Sequence, residues 1–236
     1  LSAWLGTHWQ EFAGTTAAIT DDWPYLYLPG RRLPPMYLLV SAALLLLAAA
    51  WGGAVLRRAG GMSGSFFCLG AAFMLLEFQN ISKSSLLFGA TWVVSAVTIT
   101  AILVLILFAN LLVARRPLRD IRTVYLLLFA SLAVLYALPL ELLTSLSPLL
   151  RLPIAGFCLN LPIVFAGIIF IDAFARTRNR AVALGSNFLG AVVGGLLESL
   201  SFVTGVHFLV VLTLALYLLA LLWRERSGDA SPAASR

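Results

Sequence analysis

"LGAAFMLLEFQN", Leu69 to Asn80, reads as hydrocarbon until Glu77, with Gln79 and Asn80 close behind. A carboxylate at mid-membrane costs roughly 2.5 to 3.5 kcal/mol on insertion scales, so such a group faces protein or water rather than lipid. The fold turns on this stretch: either it crosses a membrane with its polar residues sheltered, or it enters and leaves on one side. On a helix, Ser63, Gly70, Glu77 and Ser84 recur every seven residues and Asn80 lies three beyond Glu77, forming a narrow polar or small stripe. Two roles are open to the stripe, a hydrogen-bonding centre that holds helices together and a proton or cation site. Lys83, the only lysine in the chain, becomes a partner for Glu77 if the chain bends there.

The surroundings are those of an integral membrane protein. Hydrophobic residues make up 61% of the 236 residues, charged residues 11%, and mean hydropathy is +0.98, beyond the range of soluble domains. Apolar runs fall at 36–56, 65–80, 86–114, 123–143, 152–175, 181–200 and 206–223. A spanning helix needs about 20 mostly apolar residues, a length most of these runs approach, while polar residues interrupt the second and sixth. The expected fold class is all-α, a polytopic helical membrane protein with six to seven segments, one of them a candidate for re-entry. Residues 1–35 are mixed polar and aromatic and read as the tail of an upstream domain with its linker. Residues 36–224 form the transmembrane domain, and the small, polar stretch 225–236 reads as a disordered tail.

The net charge of +6 does not indicate nucleic acid, because the basic residues lie in short clusters between apolar runs and act as topology signals. If all seven runs cross, twelve of the sixteen basic residues share the inner side, leaving Arg31, Arg32, Lys83 and Arg151 outside. Making the second run re-entrant exchanges Arg31 and Arg32 for Arg57 and Arg58, and the ratio does not change. Charge bias alone therefore leaves the two topologies tied.

Other polar positions extend the list of candidates. Ser186, Gly190, Gly194 and Glu198 are spaced by four and share one face, and Gly190 with Gly194 forms a GxxxG. Small residues at this spacing let a second helix approach closely, within the chain or in a helix-mediated oligomer. The alternative is a glycine gate with Glu198 at its end. Pro162 cannot donate to the carbonyl of Cys158, which points to a kink with a polar lining beside Asn160. Glu77, Asn80, Asn160 and Glu198 are thus the candidate substrate or ion path. Asp172 and Arg176, four apart, are expected to pair at a membrane edge.

Cys68 and Cys158 lie singly in apolar runs, without CxxC or Cys/His spacing, so neither a metal site nor a disulfide is expected. A glycine-rich phosphate loop, a Ser/His/Asp constellation and HExxH are all lacking, so the sequence holds no complete active site and calls for no cofactor.

"TDDWPYLYLP" (Thr20 to Pro29), "FFCLGAAFMLLEFQNISKSSLLFGATWVVSAV" (Phe66 to Val97) and "ALGSNFLGAVVGGLLESLSFVTG" (Ala183 to Gly205) together resemble the C-terminal membrane half of bacterial membrane-fused spermidine synthase-like proteins. The resemblance implies a module of the bacterial cytoplasmic membrane that anchors, and serves, an upstream or separate aminopropyltransferase-like domain, which would carry any transferase activity. Such a domain uses an S-adenosyl donor and belongs in the cytoplasm, which favours six spans with a re-entrant second segment. The rival readings are a small transporter with a polar path at Glu77, Asn160 and Glu198, and a membrane scaffold subunit associating through the Ser186 to Gly194 face.

Overall fold

The computed structural model describes residues 20–25, 28, 30–115 and 120–229, with the backbone alone for Trp51, 148–149 and 225–229. Most of the expected N-terminal tail, residues 230–236 and the side chain of Trp51 lie outside the described residues.

Helix α1 is Pro35–Ala59, α2 Gly64–Phe88, α3 Trp92–Arg115, α4 Ile121–Ala137 and α5 the short Leu140–Thr144. Helix α6 is Pro148–Arg176 and α7 Arg180–Leu197, which runs through a 3-10 turn, Glu198–Leu200, into α8, Ser201–Thr204; α9 is Val206–Asp229. Among the described residues the only β feature is an isolated bridge between Thr20 and Trp23. Six helices, with Arg180–Thr204 taken as one, are long and apolar enough to cross a membrane, and the protein is a multi-pass all-α membrane protein.

The second apolar run does not turn back. It is a continuous helix of 25 residues, and it is the most buried of the six, 56% of its most apolar window lying inside the bundle against 0% for α1. Helix α2 packs against α7 and α9 most extensively and also against α3, α5 and α6. Gln79, Asn80, Lys83 and Ser84 can therefore stay in the membrane, because protein rather than lipid surrounds them.

Other boundaries differ from the sequence reading. The fourth run breaks at Leu138, where extended backbone before Pro139 ends α4, and Leu140–Thr144 starts afresh with Pro139 as its N-cap. Helix α6 continues through both Pro153 and Pro162. Helix α9 runs on through residues 225–229, the first part of the stretch read as a tail. Asp120 caps α4, accepting from the Thr123 hydroxyl at 2.6 Å and the Arg122 N–H at 3.0 Å, and these two bonds hold its carboxyl below the usual range.

Successive crossings sort the ends of the bundle. Asn179 donates to the carbonyl of Ala59 at 2.8 Å, and Arg224 meets Asp172 at 2.6 Å, so the ends of α1, α6 and α9 and the start of α7 share one face. Arg57, Arg58, Arg115, Arg122, Arg176, Arg178, Arg180 and Arg224 belong to that basic face. The opposite face carries residues 20–25, 28 and 30–34, the α2–α3 turn, α5, α8 and the start of α9.

The α2–α7 contact depends on missing side chains. A Cβ on Gly190 or Gly194 would run into the backbone of Phe67 or Ala71, and one on Gly70 into the carbonyl of Asn187. Ser186, on the same face, accepts the N–H of Ser63 at 2.8 Å. The Ser186 to Gly194 face is thus covered by α2 within the chain and is not the free surface that a scaffold reading requires. Gly190→Leu or Gly194→Leu should lower stability in detergent by about 2 kcal/mol or more, since backbone cannot retreat as a side chain can. An unchanged melting curve would contradict this packing.

Candidate functional site

The C-terminal half of α2 carries three polar side chains that reach three different helices. Gln79 Nε2 donates to Thr213 Oγ1 of α9 at 3.0 Å. Asn80 Nδ2 donates to Asn160 Oδ1 of α6 at 2.8 Å and lies 3.4 Å from the Leu159 carbonyl, while Asn160 Nδ2 donates to Gly156 at 2.7 Å. Lys83 Nζ donates to the carbonyl of Leu135 at 2.8 Å. Leu135 lies in the last turn of α4, where carbonyls have no partner within the helix and a positive charge is favoured by the helix dipole.

Of the candidate path residues, Asn80 and Asn160 meet; Glu77 and Glu198 join neither. Glu77 is half-buried, and among the described residues none donates a hydrogen bond to its carboxylate. Lys83 is engaged with α4, not with Glu77. Glu198 begins the 3-10 turn, where its Oε1 accepts from the Tyr37 hydroxyl at 3.4 Å.

The N-terminal segment is clamped to the ends of α8 and α9. Asp22 caps α9 twice: its carbonyl accepts the Val206 N–H and its Oδ1 the His207 N–H, both at 2.7 Å. The same Oδ1 lies 2.7 Å from His207 Nδ1. Trp23, only 1% exposed, donates its indole N–H to the Phe202 carbonyl at 2.8 Å, and the Tyr25 hydroxyl pairs with that of Ser201. Tyr25 and Tyr37 both pack edge-on against Phe202. Gly205 joins α8 to α9 with φ of 94°, a region L side chains avoid, and any Cβ there would strike the Asp22 carboxylate.

Beside this clamp is a cavity of about 270 Å3 lined by Asp21, Lys83, Tyr136, Glu141 and His207 with the 137–140 backbone turn. A second cavity of about 240 Å3, mainly apolar, lies between α2, α3, α6, α7 and α9 and includes Asn110, Asn187 and Tyr217. On the basic face Asp172, 4% exposed, is held by Arg176 at 3.0 Å and by Arg224 at 2.6 Å, adding a second arginine to the expected pair. Among the described residues no group of three or more His, Cys, Asp or Glu is placed to hold a metal.

The charged cavity was not visible in the sequence, because its walls come from positions as far apart as 21 and 207. The available signals were a lone lysine just beyond an apolar run, an acidic pair ahead of Trp23 and a histidine two residues after a glycine. Comparison of the chain with protein-family models, curated proteins and solved structures found no match.

Asn160→Leu strips Asn80 of its short bond inside the bundle and should lower stability by about 1 to 3 kcal/mol. Glu77→Gln removes a charge with no described donor, and it should change stability by less than about 0.5 kcal/mol or raise it. Unfolding of both variants in detergent checks the order, and a larger loss for Glu77→Gln would contradict it.

Proposed function

We propose that this protein is an anchoring module of a bacterial cytoplasmic membrane. It holds its N-terminal segment, and any domain or partner that segment carries, in fixed register with a charged cavity at one membrane face. The clamp of Asp22, Trp23 and Tyr25 onto α8 and α9 carries this reading. A tether that served only as a flexible leash would have no use for a buried indole or for side chains spent on capping a distant helix.

The distribution of charge supports an orientation. Arginines gather on the face opposite the clamp, and basic residues favour the cytoplasm, so the clamp and cavity face outward. The resemblance to spermidine synthase-like membrane proteins supports a second version, in which the anchored domain is an aminopropyltransferase. Its support is that the docked Asp22, Trp23 and Tyr25 fall inside one of the resembling stretches. That version places the clamp in the cytoplasm, where an S-adenosyl donor is available, against the charge bias.

Cysteine labelling separates the two. With Cys68 and Cys158 replaced by Ala, an impermeant maleimide should label Arg31→Cys in intact cells and Arg178→Cys only in broken ones. The reverse pattern would overturn the outward orientation and favour the aminopropyltransferase version.

A further inference from the structure

We infer that the cavity at Lys83 binds a small zwitterion of the amino-acid kind, its carboxylate on the Lys83 ammonium and its ammonium group toward Asp21 and Glu141. Lys83 is 3% exposed, yet among the described residues its three N–H donors find one acceptor, the Leu135 carbonyl. Capping α4 accounts for that bond and leaves two donors of a buried cation unused where the cavity begins. Buried donors are almost always satisfied, so these two are met from the cavity, by water or by a bound acceptor, and for an ammonium group an anionic oxygen is the strongest acceptor.

The rest of the wall has the opposite sign. Asp21 and Glu141 line the cavity, are exposed and have no ion-pair partner among the described residues, whereas Asp22, whose charge also reaches Lys83, is shared with His207. A buried cation and two unpaired carboxylates on one cavity wall are complementary to a dipolar molecule and less so to a simple anion. Tyr136, packed edge-on against His207 at 5.7 Å, adds an aromatic ring, a surface that attracts ammonium groups. A space of about 270 Å3 suits a molecule of amino-acid size and is too small for a polymer. This inference does not depend on the anchoring reading, because the residues that line the cavity are all described residues of this chain.

The test is thermal unfolding of the full chain in detergent with a panel of the common L-amino acids and γ-aminobutyrate, and with acetate and ethylamine as half-molecules. At least one zwitterion should raise the melting temperature in a concentration-dependent way and by more than either half-molecule. Glu141→Gln with Asp21→Asn, both at exposed positions, should weaken its binding about tenfold or more. Lys83→Met should abolish it. No shift with any zwitterion, an equal shift with acetate, or undiminished binding by the carboxamide double variant would each overturn the proposal. Because the double variant leaves the helix contacts intact, the outcome stands even if Lys83→Met fails to fold.

Discussion

Everything in this bundle is arranged around the polar end of α2. Within five residues Gln79, Asn80 and Lys83 reach α9, α6 and α4, each through a hydrogen bond of 2.8 to 3.0 Å. In hydrocarbon such groups have no other partner, so the helix that carries them must be enclosed, and the helices that enclose it must present acceptors. Lys83 meets this constraint with one of its three donors, ending α4 as a capping cation while fixing the position of α2, and turns the other two toward the cavity. Apolar packing between lipid-exposed helices has no such directionality. The polar bonds therefore select one arrangement among many of similar packing energy.

The opposite half of α2 solves the same problem with small residues. Where it meets α7, glycines on both helices bring backbones together, and Ser186 closes the contact at Ser63. The outer helices are left free to be plain hydrocarbon, and α1, whose most apolar window has no buried residue, is the extreme case. Polarity in this chain thus runs inversely to lipid contact.

The membrane class and the α7 glycine face were legible in the sequence because each depends on local composition or on spacing along one helix. The continuity of α2 was not, because Glu77, Gln79 and Asn80 read as a break until the surrounding helices are known. Glu77 drew attention as the evident charge, yet the neighbours that make the bundle-forming bonds are Gln79, Asn80 and Lys83. The clamp was equally hidden: Asp22 caps a helix that begins at Val206, and no sequence periodicity links residues so far apart. Asp172 shows both cases, its bond to Arg176 readable from a spacing of four and its bond to Arg224 not.

The central claim is that α2 crosses the membrane as an enclosed helix with Gln79 against α9. Cross-linking of Gln79→Cys with Thr213→Cys by a short, membrane-permeant bifunctional thiol reagent, in a chain lacking Cys68 and Cys158, tests it most directly. The glutamine reaches the threonine across the helix interface, so the two shorter cysteines should be bridged by the reagent's spacer in native membranes, and the link should disappear when the protein is denatured before the reagent is added. Failure to cross-link in a variant that remains folded, as judged by a Ser63→Cys and Ser186→Cys pair that does cross-link, would mean that α2 turns back or faces lipid at Gln79, and the account would fall.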